Sequence, residues 1–333
     1  MKAAAIDALG PARAIHVRDV PVPEPAADEV LVRVRSGSVN HVDTFVRGGS
    51  WRTPMAFPFV VGRDAVGSVV RCGSAVAEAF PVGAQVWTNS LGYEGRDGAL
   101  AEYVRVPAGR LYLRPDGVDD ASMAALCHPA VTAWLALFHH GHLRSGERVL
   151  IVGGAGNVGW SATHLAVQAG AVVHATASVD DHAALRGAGA VPVLSRVPID
   201  LALLGGPVDL VVDAAGSNEL EQLVPALRPG GRIVLLAGAR PSSTLPVQTF
   251  YRLGATITGF TISQASEQEL AEGARHVNDA VGRTGLRPRR VLSVPLAEVA
   301  EAHDLVETGR IRGKVVVEVA PAETDPPVGP APT

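Results

Sequence analysis

The amino-acid sequence predicts an α/β protein in which a doubly wound parallel sheet accompanies a second, β-rich domain. Three observations predict it. Residues 149–152 form an aliphatic run typical of a strand buried on both faces, and the glycine-rich turn Gly154-Ala-Gly-Asn-Val-Gly159 follows. From there strands and helices alternate regularly to about residue 262. Residues 1 to about 118 instead carry short strands separated by glycine and proline, as small barrels and sandwiches do.

The glycine-rich turn has the spacing G-x-G-x-x-G. In that order the glycines allow a tight turn, close approach of the backbone to a pyrophosphate, and close packing of a helix on a strand. Residues 158–169 have apolar side chains at helical spacing, and the free N–H groups of that helix would face the phosphates. The next strand ends at Ser178, 19 residues after Gly159, where the ribose-binding residue is expected. The stretch therefore predicts a dinucleotide site.

Six strands with helices between them predict the two βαβαβ halves of one parallel sheet. The predicted strands are 149–152, 172–178, 191–194, 208–214, 232–237 and 255–262. The predicted helices are 158–169, 180–188 and 219–227, the last closed by Pro229-Gly230-Gly231. A long helix over 121–139, interrupted at Pro129, precedes the first strand.

The elements on either side of this sheet are expected to form one domain. N-terminal strands are predicted at 29–36, 60–72, 84–88 and 101–107. A capping box at Ser266–Glu269 begins a helix to about residue 281, followed by a strand at 290–294, a helix at 296–307 and a strand at 314–319. The predicted domains are therefore 1–120 with 265–320, and 121–264. Residues 321–333 contain five prolines and are predicted to be disordered.

Composition and charge argue against several classes of function. A net charge of −4 over 333 residues gives no basic field for nucleic acid. Two cysteines, Cys72 and Cys127, cannot form a disulfide framework, and no Cys-x-x-Cys is present for structural zinc. We recognise no signal peptide and no apolar run as long as a membrane span. The sequence therefore predicts a cytoplasmic protein that binds neither nucleic acid nor membranes.

Further motifs follow one another along residues 1–319. They are Ser38-Val-Asn-His-Val-Asp43, Phe59-Val-Val-Gly-Arg-Asp-Ala-Val-Gly67, Gly98-Ala-Leu-Ala-Glu-Tyr-Val104, Thr132-Ala-Trp134, Asp213-Ala-Ala-Gly216 and Gly313-Lys-Val-Val-Val317. With the glycine-rich turn, they resemble the medium-chain dehydrogenase/reductases, in their zinc-free, zeta-crystallin-like quinone oxidoreductase branch. The resemblance implies a GroES-like β-barrel catalytic domain, an inserted Rossmann domain, and reduction of quinones or activated alkenes by a nicotinamide.

The resemblance also bears on metal binding. Zinc alcohol dehydrogenases of the family place Cys where Asn40 stands and His where Arg63 stands, whereas His128 falls where they usually carry a third ligand. One imidazole beside an amide and a guanidinium does not make a zinc site, because the guanidinium has a fixed positive charge. We therefore predict that no metal is bound.

Without a Lewis acid to stabilise an alkoxide, hydride addition to an already polarised acceptor is the easier reaction. The oxygen that becomes negative needs a hydrogen-bond donor, and Asn40 is the candidate that matches the family. Alternatively, Asn40 is a turn residue that bonds its own backbone.

His128 is the second candidate catalytic residue, because a His near the nicotinamide could donate a proton. The alternative is a structural His, hydrogen-bonded at the junction of the domains. His139, His140 and His142 resemble metal ligands only in composition, and a solvated helix end is expected there.

Phe45, Trp51 and Arg63 are expected to line the substrate pocket. Relatives often carry tyrosines where Phe45 and Trp51 stand, so the pocket would lose two hydroxyls. We therefore expect a small-molecule substrate that is apolar and electrophilic.

The choice of cofactor depends on Ser178, since NAD enzymes favour Asp or Glu there to bond the ribose and repel a 2′-phosphate. Ser178 tolerates a phosphate, so NADPH is favoured and NADH stays possible, with Asp180 and Asp181 counting against NADPH. By the resemblance, the cofactor would contact Thr132, Gly154, Gly156, Asn157, Val158, Gly159, Ser178, Ala215, Gly238 and Lys314.

The sequence thus predicts an NADPH-dependent, zinc-independent quinone or enone reductase. Two alternatives stay open: an enoyl reductase or specialised tailoring reductase of a biosynthetic pathway, and an NADPH-binding structural or regulatory protein without turnover. A homodimer is expected through the uncharged strand at 255–262, which would be prone to aggregation if left bare.

Overall fold

The computed structural model describes residues 1–195, 198–217, 219–238 and 242–319. The segment 321–333, predicted to be disordered, lies outside the described residues. The described residues form two compact units, one comprising Met1–His128 with the described residues from Arg290 onward, and the other comprising those of Pro129–Arg289.

The strands and α-helices of the described residues are numbered in chain order. The strands are β1 (Lys2–Ile6), β2 (His16–Asp19), β3 (Glu29–Val39), β4 (Phe59–Val60), β5 (Asp64–Cys72), β6 (Gln85–Thr88), β7 (Tyr103–Pro107), β8 (Tyr112–Leu113), β9 (Arg148–Val152), β10 (Val172–Ala177), β11 (Val191–Leu194), β12 (Val208–Asp213), β13 (Leu227–Leu235), β14 (Thr256–Gly259), β15 (Val291–Pro295) and β16 (Lys314–Glu318). The α-helices are α1 (His41–Gly48), α2 (Asp120–Trp134), α3 (Asn157–Gln168), α4 (His182–Gly187), α5 (Leu220–Leu223), α6 (Val247–Leu253), α7 (Glu267–Arg283) and α8 (Val299–Glu307).

The first unit is built on a seven-stranded sheet in the order β15-β16-β3-β5-β6-β8, in which β7 also pairs with β3, and on a three-stranded sheet in the order β2-β1-β4. The last strand of the described residues, β16, pairs antiparallel with β3, so that Val315 lies opposite Val39. Alternating residues of β3, such as Val30, Val32 and Val34, are buried in the apolar core between these elements. The pairing of β16 with β3 therefore brings together segments from the N-terminal and C-terminal parts of the sequence within this unit.

The second unit contains the predicted parallel sheet, in the order β11-β10-β9-β12-β13-β14. Each neighbouring pair runs parallel. Its central strands are continuous aliphatic runs, and Val149, Leu150 and Ile151 are completely buried, as strands covered on both faces must be. The predicted α/β fold class is thereby confirmed. The strand β14 lies at the edge of the sheet, and its four residues are half-buried or exposed.

Two local predictions were wrong, and one helix was missed. The helix α2 continues through Pro129 and then becomes a π-helix over Leu135–His140, because burial of residues 123–127 and 130–137 outweighs the lost backbone hydrogen bond. Pro229-Gly230-Gly231 does not close a helix but lies inside β13, where the pairing with β12 shifts its register. The helix α1 was not predicted at all.

The boundaries between the two units differ from the predicted domain boundaries. The capping box of Ser266 and Glu269 begins α7 as predicted, but α7 belongs to the second unit rather than to the first. Only the segment from Arg290 onward, with β15 and β16, belongs to the first unit.

The helical stretch Asp120–His140 is long and apolar enough to cross a membrane by length and composition. This length was not expected from the sequence, in which we recognised no apolar run as long as a membrane span. However, 83% of its most apolar window is buried within the protein, as in a core helix.

Candidate functional site

The glycine-rich turn joins β9 to α3 and has room for backbone alone. A Cβ atom on Gly159 would lie 2.1 Å from the carbonyl oxygen of Gly153, and one on Gly154 would lie 2.6 Å from the Cβ of Ala175. Gly153 itself has a φ of +83°, which side chains rarely adopt. These close approaches fit the role of a cradle for a pyrophosphate at the N-terminus of α3.

Backbone and side-chain bonds fix this turn against the neighbouring strands. Gly153 N–H donates to Thr176 Oγ1 and Gly154 N–H donates to the Thr176 carbonyl oxygen, both at 2.8 Å. Asp213, at the end of β12, accepts hydrogen bonds from the N–H groups of Ala215 (3.1 Å) and Gly216 (2.7 Å). Burial raises the pKa of Asp213, and these two bonds oppose the rise.

The structure brings most of the predicted cofactor contacts to one edge of the sheet. Gly154, Gly156, Asn157, Val158 and Gly159 form the turn and the first residues of α3. Ser178, Ala215 and Gly238 follow β10, β12 and β13, and the carboxyl ends of parallel strands share an edge. Thr132 is buried within α2. Their contacts with a cofactor stay predictions.

A separate group of buried charges lies in the first unit, and we call it the buried charge cluster: Asn40, Asp43, Arg63, Asp64 and Lys314. None of these residues is more than 8% exposed. Two carboxylates and two cations balance each other's charge, as buried charges require.

Asn40 is the N-cap residue of α1, and the polar groups of its side chain are all used within the cluster. Its backbone N–H donates to Asp43 Oδ2 at 2.7 Å, the reciprocal arm of a capping box. Its amide Nδ2 donates to Asp43 Oδ2 at 3.2 Å and to Asp64 Oδ2 at 2.9 Å, and its Oδ1 accepts from Lys314 Nζ. The spacing Asn40-x-x-Asp43 was the sequence signal from which α1 could have been predicted.

Lys314, predicted to contact the cofactor, instead places its ammonium inside the cluster. Its Nζ donates to the carbonyl oxygen of Val39 at 3.0 Å and to Asn40, and it lies 3.9 Å from Asp64 Oδ2. Ser38 Oγ also donates to Asp64 Oδ2. The pairing of β16 with β3 puts these residues side by side, although 274 residues separate Asn40 from Lys314 in the sequence.

Arg63, predicted to line the substrate pocket, is the second buried cation. Its Nε lies 3.7 Å from Asp43 Oδ1, and its guanidinium carbon lies 5.0 Å from the centre of the Tyr93 ring. The guanidinium therefore has an anion on one side and an aromatic face on the other.

Burial shifts the pKa of each charged side chain in the direction that favours its neutral form. The oppositely charged partners counteract this shift. Burial raises the pKa of Asp43 to about 6, against the attraction of Arg63. Burial likewise raises the pKa of Asp64, opposed first by Lys314, and lowers the pKa of Lys314, opposed first by Asp64. The cluster stays ionised only while its positive and negative members remain together.

His128 faces this cluster with its Nδ1 atom 3.9 Å from Asp64 Oδ1, and its side chain is 12% exposed. Burial, helped by the positive charges of Lys314 and Arg63, lowers the pKa of His128 well below its usual range. The ring is therefore neutral at physiological pH, and the imidazolium needed for a general acid is scarce.

The donor set around Asp64 does not fit a zinc ion. The positions where zinc-binding relatives are expected to carry ligands are Asn40, Arg63 and His128, of which the first bonds to an ammonium and the second is a guanidinium. In the described part of the chain, no group of three His, Cys, Asp or Glu side chains is arranged to hold a metal.

Phe45 and Trp51, the other predicted pocket residues, lie on and just after α1. The Phe45 side chain is 46% exposed, unusual for so large an apolar group. Trp51 is half-buried against the apolar core of the first unit, and its backbone N–H donates to the Phe45 carbonyl oxygen at 3.1 Å.

The histidines predicted at a solvated helix end are engaged with other residues. His139 Nε2 lies 2.8 Å from Glu269 Oε1, and His140 stacks on Phe260 at 4.2 Å between ring centres. His139 and His142 line a cavity of about 1000 Å³ between the C-terminal end of α3 and α7. This cavity is at the opposite end of α3 from the glycine-rich turn, so it is not the dinucleotide cradle.

Comparison with known protein families gives two matches. Residues 26–116 match the alcohol dehydrogenase GroES-like domain, and residues 161–317 match the family described as zinc-binding dehydrogenase. The first match falls on the β-rich unit, and the second covers β10 to β14 of the parallel sheet together with β15 and most of β16 of the first unit.

Similar curated proteins include quinone and alkenal reductases. The chain is 29% identical to the quinone oxidoreductase of Lama guanicoe over 307 residues, which covers 90% of this chain and 91% of that protein. It is 31% identical to the chloroplastic NADPH-dependent alkenal/one oxidoreductase of Arabidopsis thaliana over 309 residues, covering 91% and 75%.

Similar solved structures include an NAD-dependent alcohol dehydrogenase, with a TM-score of 0.86 and 32% identity over 96% of this chain and all (100%) of the other. A mycobacterial quinone oxidoreductase has a TM-score of 0.83 and 27% identity, covering 96% and 99%. A mycobacterial protein solved in complex with NADPH has a TM-score of 0.80 and 25% identity, covering 96% and 99%. One of these neighbours is described as NAD-dependent and another was solved with NADPH, so the comparison does not distinguish NADH from NADPH as the cofactor of this chain.

Replacing Gly159 by Ala should weaken dinucleotide binding, because the added Cβ would collide with the Gly153 carbonyl oxygen and force the turn to open. We expect NADPH affinity, measured by fluorescence titration, to fall at least about tenfold, as the loss of a charge-assisted phosphate contact would. Gly282→Ala in α7 is the matched control, since nothing lies within 4 Å of its added Cβ. Equal affinities of the two variants would contradict the assignment of the cradle.

Proposed function

Because this chain belongs to the medium-chain dehydrogenase/reductase superfamily, in its quinone oxidoreductase branch, we propose that it reduces a quinone or an α,β-unsaturated carbonyl with NADPH and without zinc. The chain is an oxidoreductase of NAD(P)H-dependent type. Cofactor preference, acceptor and zinc independence are the parts that we propose.

The observation that supports this reaction best is the position of the Lys314 ammonium. It bonds to Asn40 and lies beside Asp64, where zinc-dependent relatives are expected to hold their metal. A Lewis acid is what makes an unactivated alkoxide reactive. An acceptor that is already polarised, such as a quinone or an enone, does not need one.

The residues that would hold the cofactor belong to the second unit. The turn Gly154–Gly159 would bind the pyrophosphate through its backbone, and Ser178 would lie near the ribose of the adenosine half. When bound, NADPH supplies the hydride. The contribution of the chain is to orient the acceptor and to keep water from the reacting atoms.

The geometry bears on both candidate catalytic residues from the sequence. Both amide protons of Asn40 point at carboxylates, so its use as an oxyanion donor would need the amide to leave Asp43 or Asp64. The lowered pKa of His128 makes it a poor source of a proton at neutral pH. Both observations favour the alternative roles, in which Asn40 caps α1 and His128 packs structurally against Asp64.

The alternative of an enoyl or tailoring reductase rests on Phe45 and Trp51, which stand where relatives often carry tyrosines and would suit a bulky apolar substrate. A panel that includes enoyl thioesters separates this alternative from a general quinone reductase.

We also propose a homodimer in which β14 pairs with its copy. The strand lies at the sheet edge, where its backbone groups are available for pairing. A monomer in size-exclusion chromatography with light scattering would contradict this.

The proposed reaction predicts NADPH oxidation that depends on a quinone or an enone and is insensitive to chelators. The purified protein is titrated with NADPH and NADH, then assayed with quinones, enones, enoyl thioesters and alcohols, while its zinc content is measured. We expect turnover with the first or second class, no loss after chelation, and zinc far below one ion per chain.

Alcohol oxidation that chelation abolishes would contradict the proposal and would favour a zinc dehydrogenase. Binding of NADPH without turnover of any acceptor would favour the non-catalytic alternative instead.

A further inference from the structure

An arginine far away in the sequence lies at the end of the second strand of the parallel sheet. Arg289, which follows α7, pairs its guanidinium with Asp181 Oδ1, in the turn directly after β10. The same guanidinium lies 3.4 Å from the carbonyl oxygen of Ala155, in the glycine-rich turn. Arg289 therefore spans the cradle for the pyrophosphate and the strand end where the ribose is recognised.

The position of Arg289 is fixed by the residues around it. The guanidinium carbon lies 5.9 Å from the centre of the Trp160 ring on α3. The indole Nε1 of Trp160 donates to the carbonyl oxygen of Arg287 at 3.0 Å, which ties the segment before Arg289 to α3. The Arg289 side chain is 13% exposed, so it is held in a defined place and still reached by solvent.

Of the two acidic residues of this turn, the exposed Asp180 and the buried Asp181, the buried one is engaged by neighbouring side chains. Asp181 Oδ1 is paired with Arg289, and Asp181 Oδ2 accepts a hydrogen bond from Ser178 Oγ at 3.0 Å. A carboxylate at this strand end favours NADH by binding the ribose hydroxyls and repelling a 2′-phosphate. Here both of its oxygens are engaged by neighbouring side chains, so the preference it would give is weakened.

From these contacts, and resting on the proposed function, we infer that Arg289 determines the cofactor preference by recognising the 2′-phosphate of NADPH. A guanidinium has five N–H donors in a planar fork that suits phosphate, and the contacts with Asp181 and Ala155 use two of them. Ser178 Oγ supplies a hydroxyl beside it. Asp181 holds the guanidinium in place and also competes with the phosphate for it.

The test measures binding and not turnover. Dissociation constants for NADPH and NADH are determined by fluorescence titration, and those for 2′,5′-ADP and ADP by calorimetry. Arg289→Leu should weaken NADPH and 2′,5′-ADP roughly tenfold to a hundredfold, the scale of charge-assisted hydrogen bonds. The affinities for NADH and ADP should change less than about threefold, because neither carries the phosphate.

Arg186→Leu is the matched control. It removes the same charge from the exposed end of α4, close in sequence to Asp181, and should leave the ratio of the two affinities unchanged. Arg289→Lys, which keeps the charge but loses the fork, should give an intermediate ratio. It provides a second test if the Leu variant does not fold.

Asp181→Asn supplies an independent variant. The amide oxygen still accepts from Arg289 while the negative charge is gone, so NADPH should bind several-fold more tightly than to the unaltered protein.

Equal weakening of NADPH and NADH in Arg289→Leu, or weaker NADPH binding in Asp181→Asn, would overturn the inference and leave Arg289 a structural residue. These outcomes are distinct from failure of the proposed function. If the unaltered protein binds neither cofactor, or binds NADPH but reduces no acceptor, the proposed function fails. The ratio of affinities in the variants decides the role of Arg289 wherever binding occurs.

Discussion

The bond between the Lys314 ammonium and Asn40 joins the last described strand to the first helix of the chain. Lys314 begins β16, and the antiparallel pairing of β16 with β3 sets it opposite the point where β3 ends and α1 begins. Burial raises the pKa of Asp64, and the charge of Lys314 is the first of the influences that oppose this rise. The cap of α1, the position of Arg63 and the environment of His128 all depend on this balance of two cations against two carboxylates.

The chemical consequence is a site with internal cations at the positions where zinc-binding relatives are expected to carry their ligands. A fixed ammonium and a fixed guanidinium supply positive charge without an open coordination position, so they cannot take up an alkoxide as zinc does. Burial, together with these charges, lowers the pKa of His128 well below its usual range. This arrangement suits hydride addition to an acceptor that is polarised before it binds, and it agrees with the quinone and alkenal reductases among the relatives.

The sequence predicted what local patterns encode and missed what distant residues build. Aliphatic runs and G-x-G-x-x-G spacing were enough to predict all six strands of the parallel sheet. Pro129 and Pro229 led to wrong predictions of an interrupted helix and of a helix end. Burial of α2 and the register shift in β13 outweigh the local preferences of these prolines. Lys314 and Arg289 reach partners 274 and 108 residues away in the sequence, and no periodicity reveals such contacts. Asn40 was identified as a site residue, but its bonds to two carboxylates appear only once β3, β5 and α1 are folded together.

The most direct test of this account is a double-mutant cycle between Lys314 and Asp64, with the free energy of unfolding measured in urea. Lys314→Met alone leaves a buried carboxylate without its partner and should cost about 3–5 kcal/mol. Because Asp64→Asn removes that charge, adding it to Lys314→Met should cost less than it costs alone, with a coupling of more than about 1 kcal/mol. Additive losses, or a Lys314→Met variant as stable as the unaltered protein, would contradict the claim that this ion pair organises the first unit.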